Sequence, residues 1–296
     1  MASVPVLLNR GGGTVAADRE IDEKVARALE RAGVEADVQT IDGGDCALRC
    51  RAIAERRDPL VIVGGGDGTV SAAASALVGT ETLLGILPLG TLNHFARDLG
   101  IPTDLDEAAK LIAERPMRCV DVGEMNDRVF INNSAIGLYP LMVVDRDLQR
   151  MRLGRSKRVA MIVAALRTLA RFNRHRLTLT VNDERTGRVD TPLLFVGNND
   201  YRIDVAAPGQ REKLDGGELC VLVMRKKTRR GMLAASIRAF FGRSRPDDMV
   251  RLDDVQRLRV SAPRPRLVVS LDGEVVRAEP PLDYEIRKRA LRVIAP

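Results

Sequence analysis

Short apolar runs alternate with segments of helical periodicity through the first third of the chain. Residues 4–9 (VPVLLN) read as a strand, and the glycines beyond Asn9 as a turn. Residues 18–32 set Ile21, Val25, Ala28, Leu29 and Ala32 at the spacing of one helical face, with Gly33 as a stop signal. Residues 34–41 alternate as a second strand, residues 45–56 as a second helix, and Leu60, Val61, Ile62 and Val63 form an apolar run long enough for a buried strand. This β-α-β-α-β order predicts a parallel sheet covered by helices. Ligands of such sheets bind beyond the carboxyl ends of the strands. Asn9, Thr40, the turn at 64–69 and the turn at 89–91 all fall at strand ends, so they are expected to converge on one crevice.

After Pro102 and a helix at 105–114 the pattern changes. Strand-like runs at 128–133, 176–182, 192–198, 218–224, 257–262 and 266–271 are separated by Gly, Asn, Asp and Pro. That is the pattern of an antiparallel all-β domain. The expected fold class is thus an α/β N-terminal domain, a parallel sheet with flanking helices, joined to a mainly antiparallel β-sandwich. The boundary falls at 122/123, and the sandwich extends to residue 284.

Composition adds a compartment and a surface. With 296 residues, 45% apolar and only 3% aromatic, the chain can build cores of Leu, Val, Ile and Ala. The N-terminus lacks the basic region of a signal peptide, and no stretch approaches a membrane span, so a cytoplasmic location is expected. Cys46, Cys50, Cys119 and Cys220 make neither a zinc nor a disulfide pattern, and reduced core thiols are expected. The net charge of +7 is concentrated in two stretches. Residues 146–176 hold ten Lys/Arg and one acid; residues 225–245 hold eight and none. In both, apolar residues recur at helical spacing among arginines, which suits peripheral contact with an anionic membrane. Packing of those apolar stripes on the β domain is the other reading. No nucleic-acid module accompanies the charge, so nucleic acid is not an expected partner.

The candidate chemistry starts at Gly64-Gly65-Gly66-Asp67-Gly68-Thr69, where a strand turns through glycines into an Ala-rich helix. Free N–H groups and the positive end of the helix dipole make such a turn a phosphate cradle. Asp67 in that cradle is either a magnesium-linked catalytic group or a cap of the helix. P-loop, protein-kinase and zinc-helix motifs are absent. Ser270-Leu271-Asp272-Gly273-Glu274 is a carboxylate-rich turn; Asp-Gly favours a hairpin, which could aim Glu274 into a cleft.

The GGDGT stretch followed by PLGTLNHFAR at 88–97 resembles the diacylglycerol kinase catalytic-domain family. The resemblance implies an ATP- and Mg²⁺-dependent lipid kinase working in a cleft between two domains. ATP would be held by Asn9, Thr40, Gly65, Gly66, Asp67, Gly68, Thr69, Val70, Ser71 and Thr91. Glu274 would be the base that activates a lipid hydroxyl, with Asp67 the second catalytic residue. A magnesium site is implied at Asp215, with carbonyls of Glu212 and Gly217; a plain glycine turn is the alternative there. Residues 285–296 would return to the first domain. The implied role is in phospholipid metabolism, with a diacylglycerol-like substrate and room for a homodimer. Arg10, His94 and residues 200–204 depart from the family pattern. An NAD kinase-like enzyme and a nucleotide-responsive membrane-binding protein without turnover remain alternatives.

Overall fold

The computed structural model of the chain describes residues 3–11, 20–137, 174–201, 211, 213–225, 228, 231 and 248–296. The chain divides into two compact units. One comprises Met1–Val122, Glu212–Gly216 and Arg287–Pro296; the other comprises Gly123–Arg211 and Gly217–Ile286.

The first unit runs β1 (Val4–Asn9), α1 (Ile21–Arg31), β2 (Ala36–Ile41), α2 (Cys46–Glu55), β3 (Leu60–Gly65), α3 (Asp67–Leu77), β4 (Leu83–Pro88), α4 (His94–Asp98) and α5 (Leu105–Glu114). The strands lie in the order β2-β1-β3-β4 and are parallel throughout. Val293, near the chain end, pairs in parallel with Leu84 beside β4. Every residue of β3 is buried, as a central strand covered on both faces requires. Helix α1 packs Ile21, Val25, Ala28 and Leu29 against Val6, Leu8 and Ile62. Asp104 caps α5, its carboxylate accepting the N–H groups of Asp106 and Glu107, an arrangement worth about 1 kcal/mol. In register, Leu8 lies beside both Thr40 and Gly64, and Gly65 beside Pro88. The loops that leave β1, β2, β3 and β4 therefore share one edge of the sheet.

The second unit is built on β5 (Met117–Met125), which begins in the first, then β6 (Arg128–Phe130), β7 (Asn133–Gly137), β8 (His175–Val181), β9 (Arg185–Thr191), β10 (Leu193–Asn198), β11 (Leu219–Met224), β12 (Met249–Leu252), β13 (Arg257–Ser261), β14 (Leu267–Leu271), β15 (Glu274–Ala278) and the first part of β16 (Leu282–Ile294). One layer is the antiparallel sheet β12-β11-β10-β7-β14-β15; the other holds β16-β13-β8-β9. Ile136, Leu194, Val221 and Val269 from the first layer meet Leu177, Leu179, Leu258, Val260 and Tyr284 from the second. Two antiparallel layers around an apolar interior make the expected sandwich.

Residues 134–137 of β7 and the first part of β16 lay outside the expected strand-like runs, as did three further strands, β9, β12 and β15. All three are edge strands, with one neighbour and little need of apolar side chains, and Arg185, Thr186, Gly187 and Arg188 of β9 are exposed. The basic segments at 156–172 and 229–245, apart from Gly231, lie outside the described residues. Among the described residues, no helix is long and apolar enough to cross a membrane.

Candidate functional site

Close packing of backbone explains the glycine turn after β3. A Cβ on Gly65 would stand 2.7 Å from the Thr69 hydroxyl, so only glycine lets the first turn of α3 fold back on the strand. Gly66 is the N-cap of α3 in extended conformation, and its carbonyl accepts the N–H groups of Thr69 and Val70. Asp67 is the first residue inside the helix and makes no capping bond. Its half-buried carboxylate has no hydrogen-bond or ion-pair partner among the described residues. The capping role is therefore unfilled, and the carboxylate is left available beside the N–H groups of the first turn.

Asn9 ties the end of β1 to this turn. Its Nδ2 donates to Thr69 Oγ1 at 2.7 Å, and its Oδ1 accepts the Gly11 N–H at 2.9 Å. The Cys46 thiol donates to the Thr69 carbonyl at 3.6 Å. Val70 buries its side chain, and its N–H donates to the Gly66 carbonyl. Ser71 is half-buried, Thr91 is exposed, and Thr40 is half-buried at the end of β2.

The turn after β4 is held by Asn93. It adopts a left-handed conformation (φ 50°), accepts the Gly90 N–H at 2.9 Å, and donates through Nδ2 to the carbonyls of Pro88 and Gly90, both at 3.0 Å. Gly90 lies directly on Gly66: a Cβ there would be 2.4 Å from the Gly66 Cα. The two glycine turns thus pack backbone to backbone. Asn93 lies within the 88–97 motif, and an Asn between a Gly turn and a short helix is its local sequence signal.

In the second unit, Asp272 and Gly273 form the two-residue turn between β14 and β15, with φ values of 47° and 86°. Two consecutive positive φ angles define the tight hairpin that Asp-Gly favours. The Asp272 carboxylate accepts three backbone N–H groups, from Ile131 and Asn132 at 2.8 Å and from Asn133 at 3.0 Å. That capture holds Ile131 and Asn132 between β6 and β7: the strand expected at 128–133 ends at Phe130, and β7 runs on from Asn133 to Gly137. Glu274, three residues from the buried Leu271, is exposed and has no partner among the described residues.

A buried polar cluster supports the same segment. The Arg211 guanidinium, 5% exposed, donates to the Ile131 and Asn198 carbonyls and to Asn132 Oδ1, and lies over the Tyr201 ring at 5.2 Å. Asn198 Nδ2 donates to the Ile131 carbonyl, and Asn199 Oδ1 accepts the Gly217 N–H, each at 3.0 Å. Asp200 pairs with Arg251 at 2.6 Å. Neither Arg211 nor Asn132 carried a signal in the sequence, because no periodicity or motif marks them.

Asp215 belongs to the first unit and is exposed without a partner among the described residues. Its neighbour Leu214 is buried, and the Leu214 carbonyl accepts the Asp121 N–H at 2.7 Å. Asp121 in turn accepts the Arg289 N–H at 2.7 Å. Gly217 falls in the second unit, and Glu212 lies outside the described residues. Magnesium takes hard oxygen donors and keeps much of its water, and a free Asp215 carboxylate fits that demand. No group of three or more His, Cys, Asp or Glu able to cage an ion occurs among the described residues.

A helix-covered parallel sheet followed by an antiparallel sandwich is the architecture of the diacylglycerol kinase and NAD kinase folds. Residues 3–125 match the family described as "Diacylglycerol kinase catalytic domain", and residues 142–295 match "YegS C-terminal NAD kinase beta sandwich-like domain". The chain belongs to the diacylglycerol kinase catalytic-domain family, in the form that carries a YegS-type C-terminal sandwich.

A protein of Chromohalobacter salexigens named "Probable lipid kinase YegS-like" is 41% identical over 122 residues, 40% of this chain and 39% of that protein. A "Diacylglycerol kinase" of Staphylococcus saprophyticus is 38% identical over 112 residues, 37% of each chain. The chain thus spans less than half the length of these curated relatives. The structure of a diacylglycerol kinase from Bacillus anthracis superposes with a TM-score of 0.72 at 20% identity, over 99% of this chain and 97% of that one. An NAD kinase from Archaeoglobus fulgidus in complex with ATP gives 0.51 at 12% identity, over 98% and 92%.

Proposed function

We propose that the protein is a lipid kinase that transfers the γ-phosphate of ATP to a hydroxyl of diacylglycerol or a related lipid, with Mg²⁺ required. The observation that carries this reading is the division of labour in the Asp-Gly-Glu turn. Asp272 is committed to three backbone N–H groups, so Glu274, exposed on the first residue of β15, is the one carboxylate of the motif free to take a proton.

Each unit has a task in this reading. Residues 1–122 bind the nucleotide: the N–H groups of Gly66, Asp67 and Gly68 face phosphate oxygens, and Thr69 and Ser71 add hydroxyls. Asn9, Thr40 and Thr91 border the nucleotide at the strand ends, beside Gly65 and the Val70 backbone. Residues 123–284 bind the lipid, and 285–296 complete the first sheet. Glu274 accepts the proton of the lipid hydroxyl as that oxygen bonds the γ-phosphorus and the bond to the β,γ-bridging oxygen breaks, releasing ADP. Mg²⁺, when bound, neutralises charge on the phosphates. The Asp67 carboxylate would help hold that ion, and Asp215, with carbonyls of Glu212 and Gly217, would form a magnesium site. The basic stretches at 146–176 and 225–245 would bring the enzyme to an anionic bilayer surface.

The test is a radiolabelled-ATP assay over diacylglycerol, monoacylglycerol, phosphatidylglycerol, ceramide and sphingosine, with NAD in a parallel reaction. Label transferred to a lipid by the wild type, and lost by more than about a hundredfold in Glu274→Gln and Asp67→Asn, is expected of a general base and a metal-orienting carboxylate. Full activity in either variant overturns its assigned role; label appearing in NADP alone overturns the substrate class.

A further inference from the structure

The second unit carries a basic pocket that the phosphate-transfer reading does not use. Strands β9, β8 and β13 pair so that Arg176 lies opposite Asp190, and Thr178 opposite both Arg188 and Ser261. Leu177, Leu179 and Val181 of β8 face the sandwich core, so Arg176, Thr178, Arg188 and Asp190 share the outer face. Two adjoining cavities, of about 580 and 410 Å³, open there and share Arg176 and Asp190. Arg188 lines the first; Arg174, His175 and Arg264 line the second.

Four arginines and a single acidic residue, Asp190, thus line the two cavities. Asp190 is already neutralised by Arg174 at 2.9 Å. Arg176, Arg188 and Arg264 have no ion-pair partner among the described residues. His175, next to Arg176 in β8, takes the side of Leu177 by strand alternation, and its Nδ1 is buried with no hydrogen-bond partner. A buried polar atom left unpaired is uncommon in a native structure and calls for a partner. Burial, and then the Arg264 charge, push the His175 pKa below its ordinary value, so near neutrality the ring is uncharged and offers one donor and one acceptor.

We infer that this pocket binds a phosphate group, either free in solution or on the headgroup of an anionic phospholipid. Planar guanidinium forks match phosphate oxygens in bidentate fashion, and His175, adjacent to Arg176 and lining the second cavity, is placed to sense such binding. The mixed polar lining suits a headgroup rather than an acyl chain. The inference requires no turnover and stands apart from the proposed kinase reaction.

His94 and His175 are the only histidines of the chain, and they report on different places. His94 begins α4, just after the glycine turn that follows β4, whereas His175 lines the basic pocket. The full chain is titrated with inorganic phosphate while the imidazole NMR resonances are followed. In parallel, its binding to phosphatidylcholine vesicles with and without phosphatidylglycerol is measured.

Saturable movement of the His175 resonances is expected, abolished in Arg176→Gln/Arg188→Gln, whose exposed side chains can be replaced without disturbing the core. That variant should weaken binding by about tenfold or more, the loss of one charge-assisted hydrogen bond. Arg27→Gln/Arg31→Gln, which removes two exposed charges from α1, should leave the His175 response intact. A response to phosphate and none to phosphatidylglycerol assigns a soluble ligand; the reverse assigns a lipid headgroup. Movement of His94 alone, no movement of either histidine with no phosphatidylglycerol-dependent binding, or equal losses in the two double variants overturns the inference.

Discussion

Asp272 and Asn133 hold each other through two reciprocal hydrogen bonds. The Asn133 N–H donates to the Asp272 carboxylate at 3.0 Å, and the Asp272 N–H donates to the Asn133 carbonyl at 2.8 Å. With Ile131 and Asn132 on the same carboxylate, the turn between β14 and β15 is locked to the start of β7. Asp272→Ala leaves three N–H groups without their acceptor and should cost roughly 2–4 kcal/mol. Asp272→Asn, which keeps one oxygen, should cost less. Glu274→Gln should stay within about 0.5 kcal/mol, as an exposed substitution does. Urea denaturation of the three variants checks the order.

The contact between the glycine turns is asymmetric. A Cβ on Gly90 would press the Gly66 Cα at 2.4 Å, whereas a Cβ on Gly66 would meet the Gly90 Cα at an ordinary 3.5 Å. Gly90→Ala should therefore lower stability by about 1–3 kcal/mol, as overpacking does. Gly66→Ala should be the milder change. Differential scanning calorimetry separates them, and a fluorescent ATP analogue reads whether the Gly90 variant also loses nucleotide.

Arg211 donates to two carbonyls and one side-chain oxygen in a buried setting. Arg211→Met keeps much of the volume and leaves those acceptors unpaired, so a loss of roughly 2–4 kcal/mol is expected. Arg211→Lys should recover only part of it, because an ammonium cannot reproduce the planar fork. Thermal melts with circular dichroism test both.

His175 gives the fold an acid sensitivity. Its pKa is lowered in the folded chain, first by burial and then by Arg264, so the unfolded chain binds its proton more readily. The stabilisation is present above the ordinary value of 6.5 and fades as pH falls toward the lower folded-state value. Wild-type melting temperature should drop more steeply than that of His175→Gln between neutrality and about pH 5. Parallel curves would show that the imidazole does not titrate differently in the two states.

Local patterns made the parallel sheet, four of the five helices of the first unit, both glycine turns and the sandwich strands β8, β10, β11, β13 and β14 legible in the sequence. Side-chain periodicity and the backbone freedom of glycine act over a few residues: the buried run at 60–63 and the spacing of Ile21, Val25 and Leu29 needed nothing distant. The candidate residues Asp67, Glu274 and Asp215 were legible in the same way, through motifs a few residues long. The edge strands β9, β12 and β15 were not, since an edge needs backbone pairing more than apolar side chains.

Only tertiary structure decided the roles that depend on partners far along the chain. Asp272 reaches across some 140 residues to Ile131, Asn132 and Asn133, and Arg211 across about 80 to Ile131. Asp121 links Leu214 to Arg289. The basic pocket exists because antiparallel register brings Arg176 beside Asp190 and Thr178 beside Arg188. Hydrogen-bond partners and charge clusters are fixed by strand pairing and burial, and pairing between distant segments leaves no local pattern in the residues themselves.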